Sequence, residues 1–286
     1  MTRPTISDLV TATGELATLP STVIALLDVL KDTTTSADRV RAVLERDPAM
    51  TANTLKLANS AYYGVRRTIS SVRDALVMLG NRAVATLAFA TGMAPVLRRD
   101  LEGYGEERDA FWRHSLVAGA AASRAADLAG HGWWRTQAFT GGLIHDVGML
   151  VIDRWLVAEG RHLPRTQDES AQRQAERELL GFDHAETGAA LAEAWGFPDL
   201  LVAALRHHHT PLDATSDRAL VAAVAAGDLV SAALAGWPER PWPAATVAEL
   251  AGLGFRAEDF DQLRLDLAGD LDETLAAATR PGGVLV

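Results

Sequence analysis

Gly141-Gly142-Leu143-Ile144-His145-Asp146-Val147-Gly148-Met149-Leu150 places an adjacent histidine and aspartate inside an otherwise apolar run. Two titratable groups in such a setting require partners. A buried carboxylate needs a cation or several donors, and a buried imidazole needs both ring nitrogens satisfied. A metal ion meets both needs at once, provided that other His and Asp residues of the chain join the pair.

Composition bounds the ligand chemistry. The chain has 286 residues, 48% of them hydrophobic, which suffices for a large core in one big domain or two small ones. Cysteine is absent. That excludes a disulfide framework and thiolate metal sites, leaves imidazole, carboxylate and water as ligands, and fits a cytoplasmic setting. The formal net charge is −10 and no Lys/Arg-rich run occurs, so no nucleic-acid partner is expected. Lysine occurs only at Lys31 and Lys56, and arginine supplies the rest of the basic charge. Met1 to Val10 mixes Arg3, Pro4 and Asp8 with apolar residues, and no signal peptide is expected.

Upstream of the His-Asp pair the chain reads as short helices. Val23, Leu26, Leu27 and Leu30 recur at helical spacing after Pro20-Ser21. Ser36 caps a helix from Ala37 to Glu45, and Asp47-Pro48 opens another from Ala49 to Ala58. Asn59 to Gly64 breaks the periodicity as a turn. Ser71 with Asp74 three residues on forms a capping box before Ala75 to Leu79 and a terminating Gly80, and a further helix spans about Arg82 to Met93. Residues 1–95 thus read as a small helical subdomain with no competing β pattern. A compositional shift between Pro95 and Gly105 marks a boundary.

Downstream, polar residues punctuate apolar helices. His114 lies on a long helical pattern that starts near Glu106 and continues through an alanine-rich stretch, Ala118 to Ala129, suited to close helix packing. After Trp133-Trp134 comes the helix expected to bear His145 and Asp146. His184 sits in the first turn of a helix opened by Asp183 and ended by Gly196 and Pro198. Arg206-His207-His208-His209 closes the next one, where cationic imidazole also suits the helix dipole. Each histidine alone has an ordinary explanation as a core or capping residue. Ala219 to Gly236 is apolar apart from Asp228 and Ser231. Its central acid, alanine content and lack of Lys or Trp anchors indicate a buried helix and no membrane span. Asp228 then needs an Arg, backbone donors or a metal. Trp237-Pro238 and Pro241-Trp242-Pro243 read as a stiff connector, Val247 to Ala278 as two amphipathic acidic helices, and Arg280 to Val286 as a loose tail.

The ordered series Leu19-Pro20, Asp47-Pro48-Ala49-Met50-Thr51, Leu57-Ala58-Asn59-Ser60-Ala61-Tyr62-Tyr63-Gly64, Ile69-Ser70-Ser71-Val72 and Leu79-Gly80 resembles the amino-terminal part of the HDOD family. This "HD-related output domain" is a bacterial signalling module related to the HD phosphohydrolases, and the resemblance extends over about residues 15–235. It implies an all-α fold, a multi-helix HD-like bundle preceded by a small helical subdomain. The expected division is 1–95 for the subdomain, 96–236 for the bundle and 237–286 for a helical extension. The resemblance also gives His114, His145, Asp146, His184, His208, His209 and Asp228 the order of HD-type metal ligands. His114, His145, Asp146 and Asp228 would hold one ion, and Asp146 with His184, His208 and His209 a second. Imidazole and carboxylate suit a divalent metal such as iron or manganese, or zinc, better than calcium.

Two departures separate the chain from the related HD-GYP phosphodiesterases. Met149 stands where they carry the lysine of an HDxGK motif, and Thr210-Pro211-Leu212-Asp213-Ala214-Thr215 replaces their Gly-Tyr-Pro element. Substrate phosphates would lose their expected donors, unless Arg113, Arg135, Arg154 or Arg206 substitutes. The expected function is therefore that of a cytoplasmic HDOD-type regulatory protein. It would act by binding signalling protein partners or a nucleotide-like small ligand, with a retained metal site and no residue assigned to catalysis. The alternative is a metal-dependent phosphohydrolase or phosphodiesterase of the HD superfamily. A third reading takes the histidines as ordinary core and cap residues.

Overall fold

The structure, a computed structural model, describes residues 3–14, 19–32, 34–60, 65, 67–163, 166, 169–234, 244–252, 254–256 and 258–268. The fold is all-α: among the described residues there is no strand, only an isolated bridge between Leu101 and Glu106. In chain order the helices are α1 (Ile6–Ala12), α2 (Ser21–Lys31), α3 (Ala37–Leu44), α4 (Pro48–Ala58), α5 (Val72–Leu79), α6 (Asn81–Leu97) and α7 (Arg108–Leu128). There follow α8 (Arg135–Ile144), α9 (Val147–Ala158), α10 (Glu169–Leu180), α11 (His184–Ala194), α12 (Asp199–His207), α13 (Arg218–Leu234) and α14 (Ala244–Ala251). Helical backbone recurs over 258–268. The chain divides into two compact units, Pro20–Ala94 with Leu265–Val286, and Met1–Leu19 with Pro95–Arg264.

In the unit built on 20–94, local side-chain chemistry sets the helix starts. Ser36 Oγ accepts from the Arg39 N–H at 3.3 Å, Asp47 Oδ1 from Met50 at 2.9 Å and Ser71 Oγ from Asp74 at 3.0 Å. Each such cap is worth about 1 kcal/mol. Gly80 ends α5 at φ 84°, a left-handed conformation open to glycine without penalty. Asn59 does more than begin a turn. Its amide donates to the carbonyls of Leu55 and Ile69, and its own oxygen accepts from the Ile69 N–H, tying the end of α4 to the segment before α5. The remainder of the expected turn, 61–64, lies outside the described residues. α6 runs to Leu97, beyond the expected end at Met93, with Pro95 in its last turn, where the missing N–H forgoes one helical hydrogen bond.

In the other unit, helix crossings are set by missing side chains. A Cβ on Gly142 of α8 would lie 2.6 Å from the Ala118 carbonyl oxygen of α7, and one on Gly119 of α7 would lie 2.9 Å from the Phe139 carbonyl oxygen of α8. Gly227 of α13 packs against Ala118 and Ala122 of α7 in the same way. Small residues thus draw α7, α8 and α13 into mutual contact. A second crossing joins α9 to α11, where Gly148 lies against the His184 carbonyl and the Gly188 amide. α1 belongs to this unit and packs on α9 and α11.

Two features differ from the sequence reading. His145 and Asp146 are not borne within one helix: the chain breaks between α8 and α9, with Asp146 at φ −92°, ψ 9°. Met149 donates back to the Asp146 carbonyl at 2.8 Å to restart the helix. The second is α10, which no hydrophobic period announced because two of its buried positions, Gln172 and Glu176, are polar. The connector around Trp237 to Pro243 and the tail Arg280 to Val286 lie outside the described residues. No helix among the described residues is long and apolar enough to cross a membrane.

Gly148→Ala is expected to destabilise the protein by about 1–3 kcal/mol, because backbone atoms on α11 cannot yield to the new methyl group. An unchanged denaturant midpoint would refute the crossing geometry. Asp153 of α9 gives a pH-dependent check. Burial raises its carboxyl to about 6, against the opposing effect of the Gly103 and Tyr104 amides. Its folded pKa exceeds the unfolded value, so its contribution to stability is most favourable below about pH 4 and declines as pH rises through about 6. Relative to Asp153→Asn, the wild type should gain stability between pH 7 and pH 4 in urea titrations; a constant difference would contradict this.

Candidate metal centre

The breaks and ends of helices supply the polar centre. His114 projects from α7 and Asp228 from α13, His145 and Asp146 from the break between α8 and α9, His184 from the first residue of α11, and His208 and His209 from the end of α12. All seven residues converge. His114 Nε2 lies 3.1 Å from His145 Nε2, and each is 3.2 Å from Asp228 Oδ1. Asp146 faces both sides of the cluster: its Oδ2 is 3.4 Å from His114 Nε2, while its Oδ1 is 3.4 Å from His145, 3.3 Å from His184 and 3.7 Å from His208. His184 Nε2 and His209 Nε2 are 2.8 Å apart. His207 stands outside both groups of candidate ligands.

The opposite ring nitrogens are held in a common pattern. His145 Nδ1 donates to the Gly142 carbonyl at 2.8 Å, and His208 Nδ1 to the Leu205 carbonyl at 2.7 Å. His184 Nδ1 donates to Glu176 Oε2 at 2.8 Å. Ser231 Oγ gives its hydrogen to the His114 carbonyl and is thereby left to accept from His114 Nδ1 at 3.0 Å. With Nδ1 as donor in each neutral ring, the Nε2 lone pairs point at one another and at the carboxylates. Metal-bound imidazoles are oriented by this kind of outer hydrogen bond.

The spacing and unmet valences fit a divalent ion. Metal–donor bonds of about 2.1 Å place neighbouring ligands about 3.0–3.4 Å apart in octahedral or tetrahedral sites. His208 Nε2 and Asp228 Oδ1 are buried without a well-directed hydrogen bond, and each such buried group costs about 1–3 kcal/mol. Ligand atoms lie close enough to share an ion in two groups of the expected ligands, His114, His145 and Asp228, and Asp146, His184, His208 and His209, and in a third that joins Glu169 to His209 and Asp228. Without an ion, burial pushes the His145 imidazole down, but Asp146 and Asp228 reverse this and hold it well above its ordinary value. Burial likewise pushes both carboxyls up, and His145 and the neighbouring imidazoles draw them well below theirs. A proton on His145 therefore stands in for the cation.

Sequence reasoning missed the outer layer. Glu176 is fully buried, and its carboxylate accepts from Tyr104 Oη at 2.9 Å, from the His184 amide at 2.8 Å and from His184 Nδ1. Its one available signal was the spacing of Gln172, Glu176 and Leu180, a buried stripe disguised by two polar side chains. Asp183, not His184, caps α11, with Arg173 and Arg177 beside it. The arginines considered as phosphate donors are placed elsewhere. Arg135 pairs with Asp127 and Arg206 with Glu193, and Arg113 and Arg154 are exposed.

A narrow cleft leads to the His184 and His209 side of the cluster. Asp146, Met149, Thr166, Glu169, Gln172, His184 and His209 line its wall, and among the described residues none of them is Lys or Arg. Its interior of ≈ 10 Å³ holds about one water-sized centre. Met149 lines this cleft directly.

Replacing Glu176 with Gln should weaken divalent-metal binding about 10–100-fold, as expected for loss of a carboxylate that orients a ligand histidine. Calorimetric titration with manganese measures this, and an unaltered isotherm would rule out the orienting role.

A profile of the HDOD domain matches residues 16–211. The crystal structure of an HDOD domain protein of unknown function from Geobacter sulfurreducens is similar at 25% identity and a TM-score of 0.71, covering 96% of each chain. A Shewanella amazonensis protein named as a phosphohydrolase candidate is similar at 25% identity and a TM-score of 0.70, covering 95% of this chain and 98% of that one. An uncharacterized protein of Treponema pallidum (strain Nichols) is 25% identical over 200 residues, which span 68% of this chain and 38% of that protein. With the family's profile covering more than half of its length and an all-α architecture shared with these structures, the chain belongs to the HDOD family.

Proposed function

We propose that this HDOD protein is a regulatory module that acts by binding signalling partners or a small ligand, and that it retains an HD-type metal centre in which the ion is structural. His114, His145, Asp146 and Asp228 would hold one divalent ion, and Asp146, His184, His208 and His209 a second. Iron or manganese fits this nitrogen and oxygen donor set, with zinc as the alternative. Bound there, the metal would join the ends or faces of α7, α8, α9, α11, α12 and α13, so its binding free energy adds to folding stability.

The observation that carries the non-catalytic reading is the cleft. Its lining combines Met149 with the carboxylate of Glu169 and, among the described residues, offers no guanidinium or ammonium group. A phosphodiester approaching there would meet the Glu169 and Asp146 carboxylates and the apolar Met149, with no cationic donor among the described residues. Drug-sized ligands occupy pockets of about 300–1,000 Å³, far above the space beside His184 and His209.

The hydrolase reading has specific support of its own. The complete set of ligand residue types is present, and the Shewanella amazonensis protein named as a phosphohydrolase candidate shares 25% of its sequence with this chain. In that reading the metal supplies Lewis acidity and a water of lowered pKa. The protein would then have to orient a phosphate with no Lys or Arg among the described residues of the cleft.

Untagged protein reconstituted with manganese or iron should release no product from bis(p-nitrophenyl) phosphate or from cyclic dinucleotides beyond the level of an Asp146→Ala control. The same metal should raise the wild-type Tm by about 5 °C or more at saturation and leave the variant unmoved. Turnover that disappears in Asp146→Ala would establish the hydrolase in place of the regulatory module.

A further inference from the structure

Resting on the metal-centre reading above, we infer that the two ion positions are unequal, one sealed within the bundle and one exchanging with solvent, and that the small ligand of this protein is a divalent cation itself. The ligands of both positions are buried, and the positions differ in access from the cleft and in the groups that orient their histidines.

The position formed by His114, His145 and Asp228 is enclosed. Their side chains are 5%, 0% and 4% exposed, and none of them lines the cleft. The outer partners of both histidines, Ser231 Oγ and the Gly142 carbonyl, are themselves in the core. Around them α7, α8 and α13 cross at glycine contacts too close to part without repacking. Asp146 and His209, which line the cleft, stand between it and an ion here.

The position formed by Asp146, His184, His208 and His209 is reached by the cleft, which Asp146, His184 and His209 line. His184 is fixed by the fully buried Glu176. His209 has a different nearest carboxylate: its Nδ1 lies 3.4 Å from Glu169 Oε2, on a side chain that is 26% exposed, and 4.0 Å from Asp228 Oδ2. A longer contact within reach of water holds its imidazole less firmly than Glu176 holds His184. Screening and hydration weaken such exposed pairs relative to buried ones. His209 is thus the ligand most easily released, and Glu169 is its positioning residue at the mouth of the cleft.

The cleft also selects by charge and size. The carboxylates of Glu169 and Asp146 attract a cation, and a space for one water-sized centre admits a partly dehydrated ion but not a nucleotide. Filling the position would connect the starts of α9 and α11 with the end of α12, while the sealed ion stays in place. A change in divalent-cation level is then read as the ordering of three helix ends.

The test is metal exchange by the full chain. Wild-type protein loaded with manganese should carry two ions per chain and, mixed with excess EDTA, lose one at least tenfold faster than the other by metal analysis of desalted samples. Glu169→Gln should weaken the fast ion about tenfold and leave the slow ion unchanged, and Glu169→Asp should restore part of the loss. A merely structural role for Glu169, as an acid at the start of α10, would lower Tm without separating the two ions. Two ions leaving with one rate constant, or equal weakening of both in Glu169→Gln, would overturn the inequality and leave the metal centre intact. A wild-type chain that takes up no manganese, iron or zinc would overturn the metal centre itself.

Discussion

Two carboxylates buried among five imidazoles are the constraint on which the larger helical unit depends. Removing a carboxylate from water carries a penalty of several kcal/mol that only a close cation with good geometry offsets. Asp146 and Asp228 are both nearly inaccessible, and apart from His145, next to Asp146, the imidazoles facing them come from distant parts of the chain. Their compensation therefore cannot be wholly local. Either a proton on His145 or a metal ion must balance the charge, and in both cases α7, α8, α11, α12 and α13 have to arrive at one point.

Arrival at that point is a matter of backbone spacing before it is one of chemistry. His114 reaches His145 and Asp228 because Gly119, Gly142 and Gly227 let three helices approach within the width of a methyl group. Gly148 does the same for α9 and α11, bringing His184 to the far side of Asp146. The break after His145 then turns the Asp146 carboxylate toward both groups of histidines. Had the pair lain within one unbroken helix, successive side chains would have diverged by about 100°.

Much of this was legible in the chain before its fold. Ser36, Asp47, Ser71 and Asp183 announced helix starts because capping depends only on residues within one turn. The polar intruders in apolar runs, His145-Asp146 and Asp228, marked the centre because a lone charge in such a run needs an unusual partner. What stayed hidden depended on contacts between distant segments. α10 turns Gln172 and Glu176 inward, so its pattern resembles a solvated helix unless the buried histidine opposite is already known. The break at Asp146 was equally silent, since Ile144 to Leu150 satisfies helical periodicity across it. The fates of Arg135 and Arg206 followed from surface partners, Asp127 and Glu193, that no spacing rule connects to the cleft.

The glycine crossings have a consequence for how such a chain drifts. Steric demands at Gly142, Gly148 and Gly227 come from backbone atoms, and they persist whether or not an ion is ever bound. The demands at His184, His208 and His209 would come from a bound ion and from one another. A lineage that dispensed with the metal would be free to exchange those imidazoles for apolar side chains of similar volume, one pair at a time, while its glycines stayed fixed. Packing and ligand chemistry are thus recorded in different residues.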